Sequence, residues 1–171
     1  MKIEKTNLNH VLKITPDIFK DHRGYYIETY NENNYKKNGI AVNFIQDDIS
    51  VSFKNVLRGI HGDQKTWKLI SCLGGEFLLV VVNNDENSPQ FKKWESFTLT
   101  ENNNIQILVP PKFGNGHLVL TDRAIFHYKQ STYYNPKGQF TIRWNDPEYN
   151  ITWPISIPIL SKRDEHGHFV E

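Results

Sequence analysis

The sequence predicts an all-β protein, built as a double-sheet jelly roll or closed barrel. Short runs rich in β-branched and aromatic residues recur along the chain, separated by polar or glycine-rich breaks. Aromatic residues make up 13% of the 171 residues, a share that suits sheets whose rings line a core or a pocket. Only one stretch reads as a helix.

The segments can be taken in order. Residues 42–53 alternate β-branched, aromatic and polar side chains. Residues 67–73, 76–83, 94–100, 105–109, 117–121 and 124–134 follow at regular spacing. The breaks carry Gly74-Gly75, Asn83-Asn84-Asp85, residues 101–104 and Pro110-Pro111. Gly114-Asn115-Gly116-His117 reads as a tight turn that exposes backbone. The helix spans 31–37 and closes at Asn38-Gly39. The tail, 164–171, is polar and expected to fray. No linker or repeat divides the chain, so one cupin-like barrel domain over 1–171 is expected, with a pocket at its mouth.

Composition excludes several classes. A net charge of +1 gives no basic field for nucleic acid. The apolar run Phe77 to Val82 is far too short to span a bilayer. Met1 to Lys5 is not followed by an apolar region, so no secretory signal is expected. Cys72 is the single cysteine, which rules out an internal disulfide and fits the cytoplasm. Neither a Gly-x-Ser-x-Gly elbow nor a nucleotide-binding glycine loop is present, and Cys72 in its apolar strand reads as a buried structural thiol.

Val56-Leu57-Arg58-Gly59-Ile60-His61 concentrates the chemistry. Residues three apart on a regular strand point to opposite faces, but a bulge at Gly59 would bring Arg58 and His61 to one side. An anion clamp beside a proton-transfer group suits a phosphate-bearing substrate. A metal reading starts from His61 and His117 with Asp63 and Glu76. It is weakened because Asp63 breaks the His-x-His pair and Lys68 adds positive charge. Acid–base chemistry at carbon needs a histidine base, an orienting carboxylate, a cation for the enolate and an acid for the opposite face. His61, Asp164, Lys68 and Tyr134 could fill these roles. Each also has a plainer reading: surface histidine, tail carboxylate, solvated lysine, core tyrosine.

Six ordered segments resemble the nucleotide-sugar 3,5-epimerase family, the RmlC-like enzymes of the dTDP-4-dehydrorhamnose 3,5-epimerase type. They are Asp21-His22-Arg23-Gly24 with Glu28, Phe44 to Asp48 with Ser50, Val56 to His61, Trp144 to Pro147, Ile151 to Pro154, and Leu160 to Asp164. The resemblance implies a cupin-type jelly roll acting as a homodimer without metal or cofactor, on a nucleotide-diphosphate 4-keto sugar. It implies His61 as base, Asp164 as its partner, Lys68 as enolate stabiliser and Tyr134 as acid. It implies that Arg58 holds the diphosphate or sugar, and that Arg23 reaches the partner's ligand on an exchanged N-terminal segment. Glu28, Gln46 and Trp144 would line the pocket.

Three departures stand out. The segment Gly62 to Trp67 is shorter than the family's, Asn115 replaces a substrate-binding histidine, and Asp48 replaces an asparagine. The first two resemble the branch that acts on GDP-linked 4-keto-heptoses for capsule, in which Gly62 would open volume and Asp63 could accept a sugar hydroxyl. The rivals are a dTDP-sugar 3,5-epimerase, a 3,4-ketoisomerase, a non-catalytic sugar-nucleotide-binding module and a metal-dependent cupin oxygenase.

Overall fold

The computed structural model describes residues 1–168. Four short strands open the chain: β1 (Lys2–Lys5), β2 (Leu12–Thr15), β3 (Ile18–Asp21) and β4 (Gly24–Ile27). Helix α1 (Glu32–Lys37) comes next. It is followed by β5 (Gln46–Phe53), β6 (Leu57–Asp63), β7 (Lys68–Gly74), β8 (Glu76–Asn83) and β9 (Trp94–Thr100). Then come β10 (Gln106–Val109), β11 (Phe113–Val119), β12 (Arg123–Gln130), β13 (Gln139–Thr141) and helix α2 (Lys162–His166). One sheet runs β1-β2-β10-β7-β12-β5 and the other β13-β6-β11-β8-β9, while β3 and β4 form a separate hairpin. The ladders are antiparallel, and the two sheets form a cupin-type jelly roll.

The packing explains why the strands read as they do. Phe77, Leu79 and Val81 of β8 meet Ile70, Cys72, Ile107 and Phe126 between the sheets. Val80 and Val82 face the other way, where Ile142, Trp153 and neighbouring residues of the C-terminal segment cover them. A strand covered on both faces carries a continuous apolar run, which is what residues 77–82 show. The outer face of the first sheet is covered similarly: Ile14, Leu69 and Leu108 pack under Tyr35 of α1 and Ile40. Asn31 caps α1 by accepting from the Asn34 N–H at 3.2 Å.

Two local expectations are corrected. Gly114 to His117 is no turn; it lies within β11, fully buried and paired on both sides. Its glycines serve close strand approach: a Cβ on Gly114 would stand 2.6 Å from Ile60 Cγ2. Asp164 is no frayed tail carboxylate, because Ser161 caps α2 and buries it. The expected fraying at 169–171 lies outside the described residues.

Candidate active site

A cavity of about 290 Å³ opens between the sheets, lined by side chains from both. Arg58 and His61 of β6 both reach it, because β6 carries a bulge. Asn115 pairs with His61 and His117 with Arg58, so Gly59 and Ile60 together oppose Gly116. The extra residue restores the parity that a regular strand would break. Gly59 has φ of +107°, and a Cβ there would lie 2.6 Å from the Gly116 Cα. The bulge anticipated at Gly59 is therefore present.

His61 Nε2 stands 2.6 Å from Asp164 Oδ1. Asp164 Oδ2 accepts from the Ser161 hydroxyl at 2.9 Å, and Asp164 is almost wholly buried. Burial opposes its charge, yet hydrogen bonds from His61, Ser161 and the Gly59 backbone hold its carboxyl below the ordinary aspartate value. Burial pulls the His61 pKa below its usual value and outweighs the upward pull of Asp164. An Nε2–H directed at Asp164 leaves Nδ1 with a free lone pair, so the ring is oriented and neutral near pH 7.

Lys68 enters from β7 of the other sheet. It is buried, and its Nζ donates to Asn115 Oδ1 at 3.0 Å. Burial pushes its pKa down to about 8, with Asp63 opposing and Arg163 reinforcing the shift. Tyr134 comes from the loop after β12, half-exposed at the rim, and its backbone N–H donates to Gln46 Oε1 at 2.9 Å. Arg58 Nε donates to Ser52 Oγ at 2.8 Å.

The cavity thus gathers Arg58, His61, Lys68, Asn115, Tyr134 and Asp164. Gln46 supports Tyr134 from behind. Four residues expected to contact substrate, Gln46, Trp144, Glu28 and Arg23, do not line the cavity of the single chain. Trp144 is a correction: its ring joins the apolar cluster beneath the C-terminal segment, and its carbonyl accepts from Trp153 Nε1. Glu28 accepts from Asn31 beside α1, and Arg23 pairs with Asp21 at 2.6 Å on the exposed β3–β4 hairpin.

Two expectations for the shortened segment are also corrected. Gly62 opens no pocket volume, since a Cβ there would meet Phe113 O at 2.3 Å and the Phe140 ring at 2.4 Å. Asp63 does not line this cavity; it accepts from the N–H groups of Lys65 and Thr66 and from Gln139 Nε2.

Arg163, Gln139, Ser52 and Ser161 were not singled out by the sequence. Arg163 lines the cavity and hydrogen-bonds the Tyr134 side chain. Ser161-x-x-Asp164 is a helix-cap pattern, and it was the available signal for α2. Among the described residues, no group of three or more His, Cys, Asp or Glu side chains is arranged to hold a metal ion. Asp63, Glu76 and His117 are accordingly not brought together. Cys72 is buried, and burial pushes its thiol up to about 11. Among the described residues, no helix is long and apolar enough to cross a membrane.

An oriented neutral imidazole, a buried ammonium and a rim phenol can remove a proton beside a carbonyl, hold the enolate and return a proton. Known proteins carry the same fold. The chain is 39% identical to dTDP-4-dehydrorhamnose 3,5-epimerase of Escherichia coli K12 over 170 residues, covering 96% of this chain and 92% of the relative. It superposes on dTDP-6-deoxy-D-glucose-3,5-epimerase from Legionella pneumophila, solved with dTDP-4-keto-L-rhamnose. That match has a TM-score of 0.93 and 36% identity over 98% of this chain and 91% of the other. ChmJ, a 3'-monoepimerase from Streptomyces bikiniensis solved with dTDP-quinovose, gives 0.89 and 30% identity over 95% and 85%. The family model for dTDP-4-dehydrorhamnose 3,5-epimerase matches residues 5–171, and the chain belongs to that family of nucleotide-sugar epimerases.

Proposed function

We propose that this protein inverts C3, or C3 and C5 together, of a nucleotide-diphosphate 4-keto sugar by proton removal and return. The observation that carries this reading is the His61–Asp164 pair at 2.6 Å in one cavity with Lys68 and Tyr134. His61 takes the C3 proton, made acidic by the C4 ketone. The electron pair moves onto the C4 oxygen, where the Lys68 ammonium meets it. Tyr134 gives a proton to the opposite face, and collapse of the enolate restores the ketone. Arg58 binds the diphosphate, and Asn115 holds Lys68 in place. No cofactor takes part.

The names of the relatives support a dTDP-linked 4-keto-6-deoxy sugar as substrate. A second reading, a GDP-linked 4-keto-heptose used for capsule or surface polysaccharide, rests on Asn115 standing on the floor beside Lys68 where the family carries histidine. We further propose one domain over 1–171, a cytoplasmic location supported by the free buried Cys72, and a homodimer. In that dimer the β3–β4 arm crosses to the partner and carries Arg23, with Glu28 near its base.

Heavy-water NMR with dTDP-4-keto-6-deoxyglucose and GDP-4-keto-6-deoxyheptose tests the reading. The wild type gains deuterium at C3 of its substrate. Folded His61→Ala loses that exchange by at least about 10²-fold, and undiminished exchange removes His61 as the base. Tyr134→Phe slows inversion more than exchange, whereas equal losses argue against a separate acid.

A further inference from the structure

His117 lies on the cavity floor with a nitrogen that no described residue satisfies. Its ring stacks on Phe126, with centroids 4.2 Å apart and planes 10° from parallel, and it leans on Phe77 at 5.3 Å. The residue is 4% exposed, lines the cavity, and leaves Nε2 buried without a hydrogen-bond partner. A phenyl ring would make the same stack without that cost, and buried polar atoms in folded proteins nearly always have a partner. Burial, followed by repulsion from Arg58 and His61, lowers its pKa to about 3. The ring is therefore neutral, and Nε2 can meet a hydroxyl as donor or acceptor.

The strand register fixes where such a hydroxyl would lie. Across the β6–β11 pair, Asn115 stands beside His61 and His117 beside Arg58. The floor therefore runs from the proton-transfer end, with His61, Asn115 and Lys68, to the anion end, with Arg58 and His117. A 4-keto sugar nucleotide placed by the reading above has C3 at the first end and the C1 diphosphate at the second. C2 connects the two, so its hydroxyl lies along the floor between them.

We propose that His117 Nε2 hydrogen-bonds the C2 hydroxyl of the bound sugar and makes the site selective for 2-hydroxy over 2-deoxy 4-keto sugars. This assignment rests on the epimerase reading and extends it to a specificity-determining residue.

The test pairs dTDP-4-keto-6-deoxyglucose and GDP-4-keto-6-deoxyheptose each with its 2-deoxy counterpart, and reads C3 deuterium exchange as kcat/KM. The wild type prefers the 2-hydroxy sugar by at least about tenfold. His117→Phe keeps the stack and removes the nitrogen. It loses about tenfold or more on the 2-hydroxy sugar, loses nothing on the 2-deoxy sugar, and so abolishes the preference. His117→Gln, which keeps a hydrogen-bonding group, retains part of the preference. Equal loss on both sugars by folded His117→Phe, or an undiminished preference, overturns the assignment alone. No exchange by the wild type on any of the four sugars overturns the epimerase reading and this assignment with it.

Discussion

In the proposed mechanism His61 acts as a base only while its imidazole is neutral, and Lys68 stabilises the enolate only while its ammonium is charged. Burial lowers the pKa of both groups, His61 below its usual 6.5 and Lys68 to about 8. The signs are opposite in effect. Raising the pH through the His61 value creates base, and raising it through the Lys68 value removes the cation. Exchange plotted as kcat/KM therefore follows a bell whose acid limb lies below pH 6.5 and whose alkaline limb falls near pH 8. Lys68→Arg keeps its charge at all accessible pH, so the alkaline limb should vanish in that variant even where the rate is lower. An alkaline limb of unchanged position would show that another group sets it. These roles were only partly readable from the chain. Histidine, lysine and tyrosine near strand ends could be picked out as candidates. That Asp164 meets His61 across 103 residues was implied only by the family resemblance and not by spacing, because a five-residue helix capped by Ser161 makes the contact.

The bulge on β6 is the element that turns a strand into a site. Without it, one of Arg58 and His61 would point into the apolar layer beneath the C-terminal segment, where Leu57 and Ile60 now sit. Gly59 permits the bulge through its positive φ and its lack of a side chain against β11. Gly59→Ala should cost about 3 kcal/mol or more in urea unfolding, combining backbone strain with overpacking. It should also depress exchange. Gly138→Ala, whose Cβ would have ordinary contacts at 3.4 Å, is the control and should stay within about 0.5 kcal/mol. A Gly59→Ala protein as stable as the control would mean that β11 yields easily. At this scale the sequence was most legible where strands are long and covered. The expected spans 76–83 and 94–100 coincide with β8 and β9. It was least legible where strands are short or glycine-rich. β1 to β4 have four residues each, too few to show an alternation, and only pairing with neighbours defines them. β11 reads as a turn because Gly114 and Gly116 signal one locally, while their real service is to the packing of β6 against β11.

At the scale of the whole molecule, the described residues leave the outer face of β5 uncovered. β5 is an edge strand with an inverted pattern: Gln46, Asp48, Ser50 and Ser52 point inward, while Ile49, Val51 and Phe53 stand exposed. Polar groups inside suit a cavity wall, and apolar groups outside suit burial against another chain. Leu73 lies exposed nearby, and Phe19, Tyr25 and Tyr26 are exposed on the β3–β4 hairpin. A two-stranded hairpin with three bare aromatics is poorly stable by itself and gains most by packing on a neighbour. The proposed homodimer with an exchanged arm uses both features, and it gives Arg23 a task that its position on a single chain does not. Subunit complementation reads this directly. Arg23→Ala and His61→Ala are each expected to be nearly inactive. Random mixing of the two in equal amounts by co-refolding makes half of the dimers mixed. In each mixed dimer, one site has an intact His61 and receives Arg23 from the other subunit, so about a quarter of all sites are whole. Exchange activity should therefore recover to about a quarter of the wild-type rate. Recovery no greater than the two parents' sum, in dimers shown by light scattering to have mixed, would place Arg23 with its own subunit's site and remove the exchanged arm from the mechanism.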